Sequence, residues 1–107
     1  MTNINLCSFQ EYIKKNNYVI VKISAEWCVP CKKVEPDVLI LKNNLTDDIK
    51  YIELDVDNHD DICDDLEVNK VPTFINFING EKTDVHVGAN IEKIKVFFDK
   101  TITHTTF

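Results

Sequence analysis

The sequence predicts an α/β fold: a mixed central sheet of about five strands with helices on both faces, ordered β-α-β-α-β-α-β-β-α. Three observations lead there. Short runs rich in β-branched and aromatic residues alternate with segments whose apolar residues recur every three or four positions. Early strands separated by helices pair in parallel through crossovers. A late Asn79-Gly80 step between two β-like runs is a strong hairpin signal and adds antiparallel strands.

Taken in order, Ile4–Leu6 reads as a short first strand. Ser8 and Glu11 fit a capping box, with Ser at the cap and Glu three residues on, opening a helix to about Asn16 whose apolar face is Phe9, Tyr12 and Ile13. Tyr18–Ser24 is a buried strand. Cys31, Val34, Val38, Leu41 and Leu45 then form a helical stripe, which Pro36 should kink but not end. Ile49–Val56 is the next strand, followed by a short helix capped by Asp57-Asn58 and carrying Ile62, Cys63 and Leu66. Thr73–Ile78 and Thr83–Val87 flank the Asn-Gly turn. Gly88-Ala89 turns the chain, and Asn90 caps a last helix with the face Ile91, Ile94, Phe98 and Ile102. Residues 103–107 read as a frayed tail, and Phe74, Phe77, Phe97 and Phe98 as core aromatics.

The chain of 107 residues is expected to form one domain, 1–107, with room for a hydrophobic core. A formal net charge of −6 argues against a nucleic-acid partner, because a phosphate backbone needs a basic face. No apolar run approaches the roughly 20 residues that span a bilayer, so no membrane partner is expected. The N-terminal residues lack the pattern of a secretory signal, which points to a cytoplasmic protein. The four cysteines are too irregularly spaced for a disulfide-stapled scaffold. Only Cys28 and Cys31 form a close pair, and His59, His86 and His104, read as surface residues, show no ligand spacing, so no metal site is expected. Lys32 stands where c-type haem attachment needs histidine.

The chemistry concentrates at Trp27-Cys28-Val29-Pro30-Cys31-Lys32, where a strand gives way to a helix. A helix N-terminus has unpaired N–H groups and a partial positive charge, which favour thiolate over thiol. Such a setting lowers a cysteine pKa from about 8.5 toward roughly 3.5–7.5, and the thiolate is the nucleophile in disulfide exchange. One exposed low-pKa sulfur, Cys28, with a buried partner one turn away, Cys31, makes a dithiol device.

This run resembles the Trp-Cys-Gly-Pro-Cys-Lys active-site motif of thioredoxins. Pro36 is similar to the kink proline of that family's active-site helix, Val71-Pro72-Thr73 to its cis-proline segment, and Asn79-Gly80 and Gly88-Ala89-Asn90 to its hairpin and groove loops. The likeness spans about residues 4–102. It implies the thioredoxin fold and a thiol–disulfide oxidoreductase in which Cys28 attacks a substrate disulfide and Cys31 resolves the mixed disulfide. It further implies that Trp27 packs beside the sulfurs, that Pro30 stiffens the helix start, and that Val71, cis Pro72, Gly88 and Ala89 line a groove for an extended substrate. The implied partners are disulfide-containing proteins and a separate reductase or thiol oxidase that recycles the pair. No bound cofactor is implied, and the protein is expected to be a monomer acting as a net reductant.

Two departures touch the chemistry. Val29 replaces the motif's glycine, at a position that tunes the reduction potential. Lys22 stands where thioredoxins usually hold a buried aspartate, and Glu53 stands opposite on the neighbouring strand. A Lys22–Glu53 pair would put a cation near the sulfurs and favour thiolate; alternatively the Lys22 head snorkels to water. These departures leave an oxidant or isomerase open, and a non-catalytic binding or scaffold module is the rival of another class. An iron–sulfur cluster shared between two copies is a further alternative. Cys7, beside the first strand, reads as a small buried hydrophobe, and Cys63 as a thiol dulled by its aspartates.

Overall fold

Val19, Ile20, Val21 and Ile23 of the strand Tyr18–Ser24 are wholly buried, so both faces of the sheet must be covered. The computed structural model describes residues 4–105. Its elements are α1 (Leu6–Lys15), β1 (Tyr18–Ser24), α2 (Val29–Asn43), β2 (Ile49–Asp55), α3 (Asp60–Asp65), β3 (Thr73–Ile78), β4 (Glu81–Val87) and α4 (Ile91–His104). The strands lie in the order β2-β1-β3-β4. β1 runs parallel to β2 and antiparallel to β3, and β3 is antiparallel to β4.

Side chains alternate along β1, and the two faces meet different helices. Val19, Val21 and Ile23 join Phe9 and Ile13 of α1 and Ile62 of α3 in one cluster. Ile20 joins Val34 and Val38 of α2, Phe74 of β3, and Ile94, Phe97 and Phe98 of α4 in the other. Lys22, two residues after Ile20, points to the α2 and α4 side and pairs in register with Glu53 and Phe74.

The expected strand at Ile4–Leu6 is not formed. α1 begins at Leu6, and Asn5 caps it by accepting the Ser8 N–H at 2.8 Å, so Ser8 lies inside the helix. With only two apolar residues, Ile4 and Leu6, the segment gives little surface for pairing, whereas the Asn5 side-chain carbonyl satisfies an orphan N–H at once. The described sheet therefore has four strands. Cys7 rides on this helix and is exposed, against the expectation of burial.

The hairpin is as expected. Asn79 has φ 53° and Gly80 φ 84°, both left-handed, as a two-residue turn matched to strand twist requires. β4 carries an extra residue, since Asn76 pairs with Asp84 but Phe77 with Lys82. Asn90 caps α4 by accepting the Lys93 N–H at 3.1 Å. Thr103 and His104 are helical and Thr105 is the C-cap, so that part of the expected tail is ordered; residues 106 and 107 lie outside the described range.

α3 starts differently from the sequence expectation. Its N-cap is His59, which makes no side-chain capping bond. The Asp57 N–H binds Asp55 Oδ1, 2.8 Å away, and the Asp57 carboxylate accepts the Trp27 indole N–H instead of capping α3. His59 is buried, not superficial, with Nδ1 accepting the Asp55 N–H at 3.2 Å. His86 is half-buried against the Phe74 ring, and only His104 is exposed as expected.

Phe74 is wholly buried and its ring meets Phe97, Phe98 and His86. Phe74→Ala should therefore lower stability by about 3–5 kcal/mol, read as a fall in the urea midpoint with unchanged slope.

Candidate active site

Cys28 is the N-cap of α2, held in extended backbone with φ −85° and ψ 102°. Its N–H bonds the Ala25 carbonyl at 3.1 Å, which closes the loop leaving β1. From there Sγ turns back over the helix and accepts the Cys31 N–H at 3.2 Å. Pro30 sits in the first turn, where a missing N–H leaves no bond unmade. The first turn carries no acidic side chain, so nothing there opposes a negative sulfur. Once reduced, Cys28 has both the N–H donor and the helix dipole to favour its thiolate.

Cys28 and Cys31 are joined by a disulfide, with Cα atoms 5.3 Å apart. Cys31 is buried on the inward stripe, as expected. Cys28 is not the exposed sulfur the sequence suggested: the residue is only 4% accessible. Ala25, Val56 and Val71 pack around the pair, and the capping geometry draws Sγ inward against them. The Val71 carbonyl oxygen lies 3.8 Å from Cys28 Sγ, where a thiol would donate to it.

Val71-Pro72 is a cis peptide bond. Pro72 is buried, and its carbonyl accepts the Gly88 N–H at 2.9 Å, tying the β4–α4 loop to the proline segment. Gly88 has φ 117°, a conformation that L side chains avoid. Ala89 packs against the core beneath α4 rather than at the sulfurs.

Trp27 is 65% exposed, yet its indole is fixed, because Nε1 donates to Asp57 Oδ2 at 2.9 Å. The sequence offers Asp57 only as a helix cap; no local pattern links it to a tryptophan 30 residues earlier. Beside the indole lies an apolar-walled groove of about 450 Å³, lined by Trp27, Val56, Val68, Asn69, Lys70 and Val71. Val29 is exposed.

On the inner side, Lys22 is 2% accessible and its Nζ lies 3.8 Å from Glu53 Oε1. The pair forms, and the snorkelling alternative is set aside. Glu53 also accepts a hydrogen bond from the Tyr51 hydroxyl at 3.1 Å. Burial, then the Glu53 charge and this hydrogen bond, raise the Tyr51 pKa and keep the phenol a donor.

Cys63 is buried, and its thiol pKa is pushed up to about 11, chiefly by burial and then by Asp64, Asp60, Asp61 and Asp55. Among the described residues no group of His, Cys, Asp and Glu side chains is arranged to hold a metal ion, and no helix is long and apolar enough to cross a membrane.

A helix-capping cysteine disulfide-bonded to a cysteine one turn on, beneath a cis-proline loop, defines the thiol–disulfide oxidoreductase class. Comparison with known proteins agrees. The family model described as Thioredoxin matches residues 1–100. Thioredoxin of Equus caballus is 37% identical over 90 residues, covering 82% of this chain and 85% of that protein. Thioredoxin-2 of Pyricularia oryzae is 34% identical over 91 residues, 85% of this chain but 53% of that longer protein. The structure of Plasmodium falciparum thioredoxin superposes with a TM-score of 0.84 at 31% identity, covering 90% of this chain and 93% of that one. The chain belongs to the thioredoxin family and is a thiol–disulfide oxidoreductase, of a family that acts on disulfide substrates and is recycled by a reductase.

The two remaining thiols should differ sharply. Iodoacetamide should label Cys7 in the native protein and Cys63 only on unfolding, read by peptide mass spectrometry. Because the folded Cys63 thiol holds its proton more tightly than the ordinary value of 9.0, the unfolded state loses the proton first. Stability should thus fall as pH rises from about 9 through about 11, and Cys63→Ala should flatten that slope in urea titrations.

Proposed function

We propose that this protein reduces disulfides of other proteins, with Cys28 as the attacking and Cys31 as the resolving thiol. The observation that carries the assignment is the cap: the Cys28 sulfur accepts the Cys31 N–H at the N-terminus of α2. The Cys28 thiolate attacks one substrate sulfur and expels the other. Cys31 then attacks Cys28 Sγ, releases the second substrate thiolate and leaves the Cys28–Cys31 disulfide. A separate reductase restores the dithiol.

Around this pair, Trp27 supplies a fixed apolar wall and Pro30 holds the helix start. Val71 offers backbone to an extended substrate beside Pro72, and the loop at Gly88, tied to the Pro72 carbonyl, closes the far side. Val29 tunes the reduction potential from the rim, and Lys22 with Glu53 tunes it from beneath. The chain acts as a single-domain monomer in the cytoplasm. Cys7 and Cys63 are free thiols, as suits a reducing compartment. A fluorescent fusion found in mitochondria, where a relative from Saccharomyces cerevisiae 34% identical to this chain is named as residing, would revise that last point.

The wild-type protein with dithiothreitol should accelerate insulin precipitation, and a reduced, folded sample without that activity would overturn the assignment. Cys31→Ser should cut turnover by at least about 10²-fold while trapping substrates as mixed disulfides on Cys28. Cys28→Ser should trap none, as seen on non-reducing gels.

A further inference from the structure

Resolution requires a buried thiol to lose a proton. Cys31 is almost inaccessible, but one wall of its surroundings is a cavity of about 210 Å³ that it shares with Lys22 and Glu53. The remaining charges on that cavity are Glu26 from the β1–α2 loop, Lys32 and Glu35 from α2, and Asp55 from β2. Such a polar space admits water, and water can carry a proton from Cys31 to a carboxylate on the wall.

The carboxylates are not equivalent. Glu26 and Glu35 are exposed, and a fully hydrated carboxylate at the rim offers little over bulk solvent. Asp55 already accepts the Asp57 N–H at 2.8 Å through Oδ1. Glu53 is half-sheltered, its side chain 38% accessible, and is held at one oxygen, Oε1, by both the Lys22 ammonium and the Tyr51 hydroxyl. Lys22 itself is fixed in the sheet, registered between Glu53 and Phe74, and an ammonium has no lone pair with which to take a proton.

We propose that Glu53 accepts the Cys31 proton during resolution, and that Lys22 is the positioning residue that holds the Glu53 carboxylate at the cavity. The proposal rests on the reading of Cys31 as the resolving thiol. In the step, the Cys31 S–H proton passes through cavity water to Glu53. The Cys31 sulfur forms a bond to Cys28 Sγ, and the bond from Cys28 to the substrate sulfur breaks with its electron pair on the substrate thiolate. The two cysteines are oxidised by two electrons and the substrate disulfide is reduced by two. Glu53 later returns its proton to solvent through the cavity mouth.

The test is rapid mixing of reduced protein with one equivalent of a nitroaryl disulfide, which releases one coloured thiolate when Cys28 attacks and a second when Cys31 resolves. E53Q should slow the second release on the order of 10²-fold and leave the first unchanged. Its second-phase rate should then climb about tenfold per pH unit below the thiol pKa, whereas the wild-type rate flattens. Glu53→Asp should recover part of the rate. Lys22→Met should slow the second phase and Lys22→Arg should preserve it, since arginine keeps the charge. A wild-type second phase and pH profile in E53Q overturn the proposal. So does a second phase lost in Lys22→Arg but intact in E53Q, which would make the lysine amine the acceptor. If E53Q does not fold, the Lys22→Met, Glu53→Gln double variant removes both charges together; slow resolution supports the proposal and wild-type resolution overturns it. Failure of the underlying reading looks different: Cys28→Ser would still release both thiolates, or Cys31→Ser would still release the second.

Discussion

The bond from the Cys31 N–H to the Cys28 sulfur is the interaction on which the active end of the molecule depends. It places one sulfur at the positive end of α2 and fixes the second one turn further along the same helix, so a single element sets both the charge on the nucleophile and the distance to its partner. Everything around it keeps that helix start in place. β1 delivers the loop, the Ala25 carbonyl closes it, and Pro30 enters the first turn without leaving a donor unmade. Because α2 packs on the sheet through Val34 and Val38, the geometry of two sulfurs is anchored in the core beneath Ile20 and Phe74.

Two environments meet at that point. Outside, Trp27, Val56, Val68 and Val71 give an apolar wall next to the Val71 carbonyl, suited to an extended chain that brings a disulfide against Cys28. Inside, the buried Lys22 and half-sheltered Glu53 put a charge pair behind Cys31, in a place where an apolar core would offer a proton no way out. A buried ion pair contributes little net stability, since desolvation offsets attraction. Its position, on a cavity shared with Cys31, is what the proposed proton transfer uses.

The sequence and the structure agree most closely where a local signal is also the final arrangement. Tyr18–Ser24 and Thr73–Ile78 form strands with the expected bounds, because continuous β-branched and aromatic runs bury well in a covered sheet. The Asn79-Gly80 turn and the Asn90 cap follow from single residues meeting single backbone demands. Expectations failed where two local signals competed. Asn5 outbid Ser8 as cap and turned a nominal strand into the start of α1, and Asp57 bonded Trp27 rather than capping α3. His59 carries a polar side chain in a polar stretch, yet it is buried with its ring against the Asp55 backbone at the end of β2.

What the sequence by itself determined is the alternation of strands and helices, the three-residue spacing from cap to first turn that brings Cys28 and Cys31 together, and the family to which they belong. These depend on contacts between residues close in the chain, so periodicity and turn chemistry suffice to read them. Tertiary structure alone decided the cover over Cys28, the tether between Trp27 and Asp57, the tie from Gly88 to Pro72, and the fate of the Lys22 charge. Each of those joins segments 16 to 43 residues apart in sequence, counted from Gly88–Pro72 to Cys28–Val71. Their partners are chosen by sheet register and helix packing, and no local pattern of residues encodes that choice.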